Sequence, residues 1–129
     1  MRHLINFGLL IVAIGLTILL APLGLLCTGL FCLFRLSWRD ALDYLSRLAL
    51  STALSIDLLG NVLCADLFNT YLRKENGYAF GRYDQTISAA LGYNARQGTL
   101  TDLGRLLANL LDWIDPGHLE KAIAAERCG

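Results

Sequence analysis

The stretch "ILLAPLGLLC", residues 18–27, decides the architecture, because it lies inside a 31-residue run with no charged residue. Residues 4–34 contain no Asp, Glu, Lys, Arg or His. An uninterrupted apolar run above ~18 residues reads as membrane-spanning. As one helix the run extends roughly 46 Å, against a hydrocarbon core of ~30 Å. Either the helix exceeds the core, or the chain turns back at Ala21-Pro22-Leu23-Gly24. Pro22 removes a helical hydrogen bond and disfavours helical angles at Ala21. Charge points the same way. Arg2 precedes the run while Arg35 and Arg39 follow it, and a hairpin returns all three to one cytoplasmic side. The second limb, about Leu23 to Phe34, is short for a full span and suits a re-entrant form. The favoured expectation is therefore a hairpin, with a single kinked crossing as the alternative. A cleaved signal peptide is the other competitor. No A-x-A-like site follows the apolar core, so the segment is expected to be retained.

Composition agrees with a lipid-associated chain. The 129 residues are 55% hydrophobic and 17% charged, with a mean hydropathy of +0.49; soluble domains carry about 25% charged residues. Net charge is zero, and residues 73–129 balance seven basic against seven acidic side chains. That balance builds no basic face for phosphate backbones, so nucleic acid is not an expected partner. Cys27, Cys32, Cys64 and Cys128 show no zinc-like spacing and read as small packing residues. No metal or cofactor is expected.

Three regions follow: a membrane anchor over 1–36, amphipathic and then apolar helices over 37–72, and a small helical region over 73–129. Ser37-x-x-Asp40 has capping-box spacing, and Trp38 suits a membrane–water interface. Arg39, Asp43 and Arg47 place charge on one helical face, opposite Leu42, Leu45 and Leu48. Residues 48–72 are apolar but interrupted by Asp57 and Asp66, each costing ~2.5–3.5 kcal/mol near a bilayer centre. A buried or interfacial helix, broken near Gly60-Asn61, is expected rather than a second span. Asn76-Gly77 marks a turn. Asp84 is the expected cap of a short helix that Gly92 stops, with "NARQG" as the next connection. Thr99-x-x-Asp102 repeats the capping spacing. Leu103, Leu106, Leu107, Leu110, Leu111 and Ile114 form a helical stripe expected to pack on residues 42–72. Asp115-Pro116 opens the last helix. The fold class is all-α: an N-terminal membrane helix or hairpin, then a small bundle of amphipathic helices.

Candidate functional residues are polar groups in apolar settings: Asp57, Asn61, Asp66, Asn69, Asp84, Ser88 and His118. Asp57 and Asn61 share a face at i, i+4, and Asp66 and Asn69 at i, i+3. Their bland reading is that they cap breaks or hydrogen-bond loop amides around Gly60. His118 reads as a solvated helix-start residue, and Ser88 as a first-turn polar residue. No nucleophile–base pair stands at a recognisable spacing, so enzymatic activity is not expected.

The strings "SIDLLGNVLCADLFN", "NGYAFGRYDQTISAALGYNARQGTLT" and "LLDWIDPGHLEKAI" resemble small uncharacterised membrane proteins of tailed bacteriophages and prophages. The pattern is ID-x-LGN, LFN, TIS-x-x-LG and D-x-x-H-x-x-KAI, over roughly residues 55–123. Asp57, Gly60, Asn61, Phe68, Asn69, Thr86, Ile87, Ser88, Gly92, His118 and Lys121 match. Gln85 replaces an expected Glu, and Leu119 an expected Cys, which speaks against His–Cys chemistry. The resemblance implies a phage-encoded membrane protein and brings no established activity with it; with the charge reading above, the expected location is the bacterial inner membrane with the C-terminal region cytoplasmic. Its partners would be membrane lipid and either an unknown protein or further copies of itself. A holin-like pore is the alternative, allowed by Gly8, Gly15, Gly24 and Gly29, and a membrane-associated enzyme acting on lipid or peptide is the third reading.

Overall fold

The structure, a computed structural model, describes residues 2–128. Six helices are present among them: α1 (Arg2–Arg35), α2 (Trp38–Leu63), α3 (Ala65–Tyr71), α4 (Ile87–Gln97), α5 (Asp102–Ile114) and α6 (His118–Arg127). The only extended pairing among the described residues is an isolated antiparallel bridge between Arg73 and Leu100. The all-α class holds. The chain divides into two compact units, Met1–Leu48 and Ala49–Gly129.

In the first unit the chain does not turn back at Pro22. α1 continues through it for 34 residues, which corrects the hairpin expectation. A hairpin would free the amides and carbonyls of two helix ends, and residues 18–27 offer no polar side chain to cap them. Continuing through Pro22 forfeits far fewer hydrogen bonds. No residue of α1 is buried, although nearly all of it is apolar. It has the length and composition of a membrane span. Its ~46 Å uncharged stretch matches the ~40–45 Å thickness of a bilayer with its headgroup regions. α2 then starts as its sequence dictates. Ser37 Oγ accepts from the Asp40 amide at 3.4 Å and donates to Asp40 Oδ2 at 2.8 Å. Phe31 and Tyr44 pack with ring centroids 6.0 Å apart.

In the second unit α2 remains helical through Gly60-Asn61 and ends at Leu63. The break falls at Cys64, where the chain bends by 75° into α3. The expectation was three residues early because Asn61 does not break the helix; it reaches out of it, as described below. The core comprises Leu72, Phe80, Ala90, Leu91, Leu100, Ala108 and Leu119, with Ile123 fully buried.

Helix borders moved for identifiable reasons. The cap of α4 is Thr86, not Asp84: its hydroxyl accepts from the Ala89 amide at 3.1 Å. Gly92 does not stop this helix. It lies inside α4, which runs on to Gln97 and ends at Gly98 with φ 67°. What Gly92 supplies is proximity, since a Cβ there would lie 2.8 Å from Ile123 Cδ1 and 3.1 Å from the Leu119 carbonyl on α6. Gly92→Ala should therefore cost about 1–3 kcal/mol by overpacking, read as a lowered denaturant midpoint with an unchanged slope. Thr101, not Thr99, caps α5, accepting from the Gly104 amide at 3.1 Å. α6 starts at His118 behind Gly117, two residues later than Asp115-Pro116 implied.

The α5 stripe is split. Leu107 and Leu111 pack on the core, but Leu103, Leu106, Leu110 and Ile114 are exposed. Gly104 and Ala108 form the buried contact instead, because a Cβ at Gly104 would overlap the Leu72 carbonyl. Small residues, invisible to an apolar count, set which face of α5 turns inward. The cysteines are not the buried packing residues expected: Cys27 and Cys128 are exposed, and Cys32 and Cys64 are half-buried.

Candidate functional site

Residues 73–86 contain no helix, yet Phe80 and Gln85 are buried there. Their backbone groups need partners, and three asparagines supply them. Asn94 Oδ1 accepts from the Tyr78 amide and its Nδ2 donates to the Tyr78 carbonyl, both at 2.8 Å. Asn69 treats Phe80 the same way, at 2.9 and 3.1 Å. Asn61 accepts from the Gly81 amide at 3.1 Å and donates to the carbonyls of Arg82 and Gln85 at 3.1 and 2.7 Å. A carboxamide carries a donor and an acceptor side by side, as a peptide group does. These side chains act as a substitute strand, clamping an irregular loop onto α2, α3 and α4. Arg73 tightens the turn at Gly77, donating to Asn69 Oδ1 and to the Glu75 and Gly77 carbonyls.

Beside the clamp runs a second chain of contacts. Asp57 Oδ1 accepts from the Ile87 amide at 3.0 Å, and Asp57 Oδ2 from the Ser88 hydroxyl at 3.1 Å. Ser88 Oγ lies 3.2 Å from His118 Nε2, and His118 Nδ1 lies 3.1 Å from Asp115 Oδ2. The order Asp57–Ser88–His118–Asp115 ties α2, α4 and α6 together. With the hydroxyl proton aimed at His118 instead of Asp57, Ser88, His118 and Asp115 take the order of a nucleophile, base and orienting carboxylate. The surroundings oppose that use. Ser88 is buried, Asp57 competes for its proton, and the nearby amides of Ile87 and Ala89 are already engaged. An oxyanion would need such amides free.

Both networks border a cleft of about 1290 Å³ between α2, α4 and α6. Leu50, Leu54 and Leu58 form one wall and Ala122 and Ala125 the other. Asp57, Asp84, Ser88 and His118 of the expected residues line it. Asp84 pairs with Arg82 at 2.8 Å on its edge. Asn61 and Asn69 serve the loop, and Asp66 stands apart, exposed on α3. Asn94, Gln85, Asp115 and Glu126 complete the arrangement without having been singled out as site residues. Only Asp115 had a visible signal, its i, i+3 spacing to His118.

Surface pairs set the charge pattern around α6. Hydrogen bonds from Lys121, at 2.5 Å, and then from His118 hold the Asp115 carboxyl below its usual range. Arg96 does the same for Glu120, and Arg82 for Asp84. A carboxyl with a lowered folded-state value contributes stability that is present above about pH 4 and is lost as pH falls through that lowered value. Acidification below about pH 4 should thus loosen α6, read as faster hydrogen exchange at the Ile123 amide than at Leu91 in α4. Exposure keeps the effect small. Among the described residues no group of three or more His, Cys, Asp or Glu side chains is placed to hold a metal ion. Compared with known proteins, the chain matches no family model, no curated protein and no solved structure.

Proposed function

We propose that this chain is a small, non-enzymatic integral membrane protein that acts by protein–protein contact at the bacterial inner membrane. The observation that supports it is α1, a 34-residue apolar helix with no buried residue. At about 25 cal/mol per Å², that much unburied apolar surface is untenable in water and stable in lipid. Arg35, Arg39 and Arg47 follow the span against Arg2 before it. This excess orients residues 37–128 toward the cytoplasm and residue 2 outward. The 55–123 pattern supports a phage or prophage origin. The contact surface is the cleft, whose apolar walls suit a helix laid in a groove.

Photo-crosslinkers at Ala125 in the cleft and at Asp66, away from it, test the reading in intact membranes. A discrete adduct from position 125 alone supports it. Dye leakage and cell death on expression, with oligomers crosslinked through α1, would replace it with the holin-like pore. A second reading, an acyl hydrolase, is favoured by the Ser88–His118–Asp115 distances. Labelling by a fluorophosphonate probe that disappears in Ser88→Ala would establish it; the interaction reading expects no labelling.

A further inference from the structure

At the end of the cleft formed by Gln85 and Glu126, two acceptor oxygens have no donor. Gln85 is 3% exposed. Its Nε2 donates to Tyr78 Oη at 3.0 Å and to Glu126 Oε2 at 2.9 Å. Gln85 Oε1 and Glu126 Oε1 are buried and unpartnered, and both residues line the cleft. Buried acceptors left this way carry their full desolvation penalty, so two of them at one end of a cleft mark a place for a donor.

The charges around them say what kind. Arg82 is held by Asp84 and Lys121 by Asp115. Asp57 and Glu126 are bonded only by neutral donors: an amide, a hydroxyl and a carboxamide. The absent donor is cationic. At about 1290 Å³ the cleft exceeds the ~300–1,000 Å³ typical of small-molecule pockets, and Ala122 and Ala125 leave depth for a helix backbone. A phospholipid headgroup would bring a phosphate against the Glu126 carboxylate.

We propose that the cleft receives an apolar partner helix bearing a lysine, whose ammonium donates to Gln85 Oε1 and Glu126 Oε1. This rests on the interaction reading above and names the chemistry of its partner. An ammonium presents three donors, enough for both oxygens and one water.

The test uses the full chain in phosphatidylcholine nanodiscs, with the Gln85 side-chain amide observed by NMR. The probes are hexylammonium, a lysine side-chain mimic, and 1-hexanol. Hexylammonium should shift the amide saturably, with at least ten-fold higher affinity than hexanol. Glu126→Gln removes the carboxylate charge that favours an ammonium over a hydroxyl, and should bring the two affinities within two-fold. Equal response to both probes in the wild type overturns the proposal even if the variant does not fold. So does undiminished selectivity in Glu126→Gln, or a shift that follows added phosphatidylethanolamine and ignores hexylammonium. An Ala125 crosslink that persists without ammonium selectivity defeats this inference alone. No crosslink in the wild type defeats the interaction reading itself.

Discussion

Asn94→Ala destabilises the second unit by at least about 3 kcal/mol, enough to threaten a fold whose total stability is of order 5–15 kcal/mol. Asn94 is 0% exposed. Its carboxamide holds both backbone groups of Tyr78, the Ala90 carbonyl and the Thr99 hydroxyl. Alanine takes away the partner of all four groups at once. Asn61→Ala belongs in the same range, since that side chain is also fully buried and serves three loop groups. Asn69→Ala should cost about 1–2 kcal/mol, because its site is half open to water. Denaturant unfolding of the three variants ranks them, and hydrogen exchange at the Tyr78 and Gly81 amides locates the damage. A loss below about 1 kcal/mol for Asn94→Ala would show that the loop holds itself.

The second large effect concerns α1. Leu16→Arg combined with Leu19→Arg puts two charges near the centre of the uncharged run. Each costs about 2.5–3.5 kcal/mol on insertion scales, so the pair should release most of the protein from carbonate-washed membranes. Leu33→Arg, two residues from Arg35, lets its side chain reach the interface and should leave the protein membrane-bound. If the double variant stays as firmly bound as the wild type, α1 is not what holds the chain in lipid.

Much of this architecture was legible from local chemistry. The Ser37–Asp40 box and the Asn76-Gly77 turn depend on neighbours in sequence, and they stand where expected. Asp57, Asn61 and Asn69 stood out as polar residues in an apolar segment; Asn61 and Asn69 hold the distant backbone of residues 80–85 instead of amides around Gly60, and Asp57 accepts from the Ile87 amide at the start of α4. The errors share a cause: each residue was read by its propensity while its role depended on a distant partner. Pro22 and Gly92 read as breakers. One lies in a helix whose alternative would leave more backbone unpaired, and the other is needed where α6 crosses α4. Asn94 read as loop because no local pattern marks a helical asparagine that holds Tyr78, 16 residues away. The Gln85–Glu126 pair spans 41 residues, and no spacing rule reaches that far.

The central claim of the proposal is that α1 crosses the membrane once, with the helical unit on the cytoplasmic side. Cysteine labelling tests it most directly. His3→Cys with the four native cysteines replaced by serine, and a second version retaining only Cys128, are treated in spheroplasts with a membrane-impermeant maleimide. Labelling at position 3 in intact spheroplasts, and at position 128 only after permeabilisation, is the predicted result. Protection of both positions until permeabilisation would restore the hairpin and contradict the account.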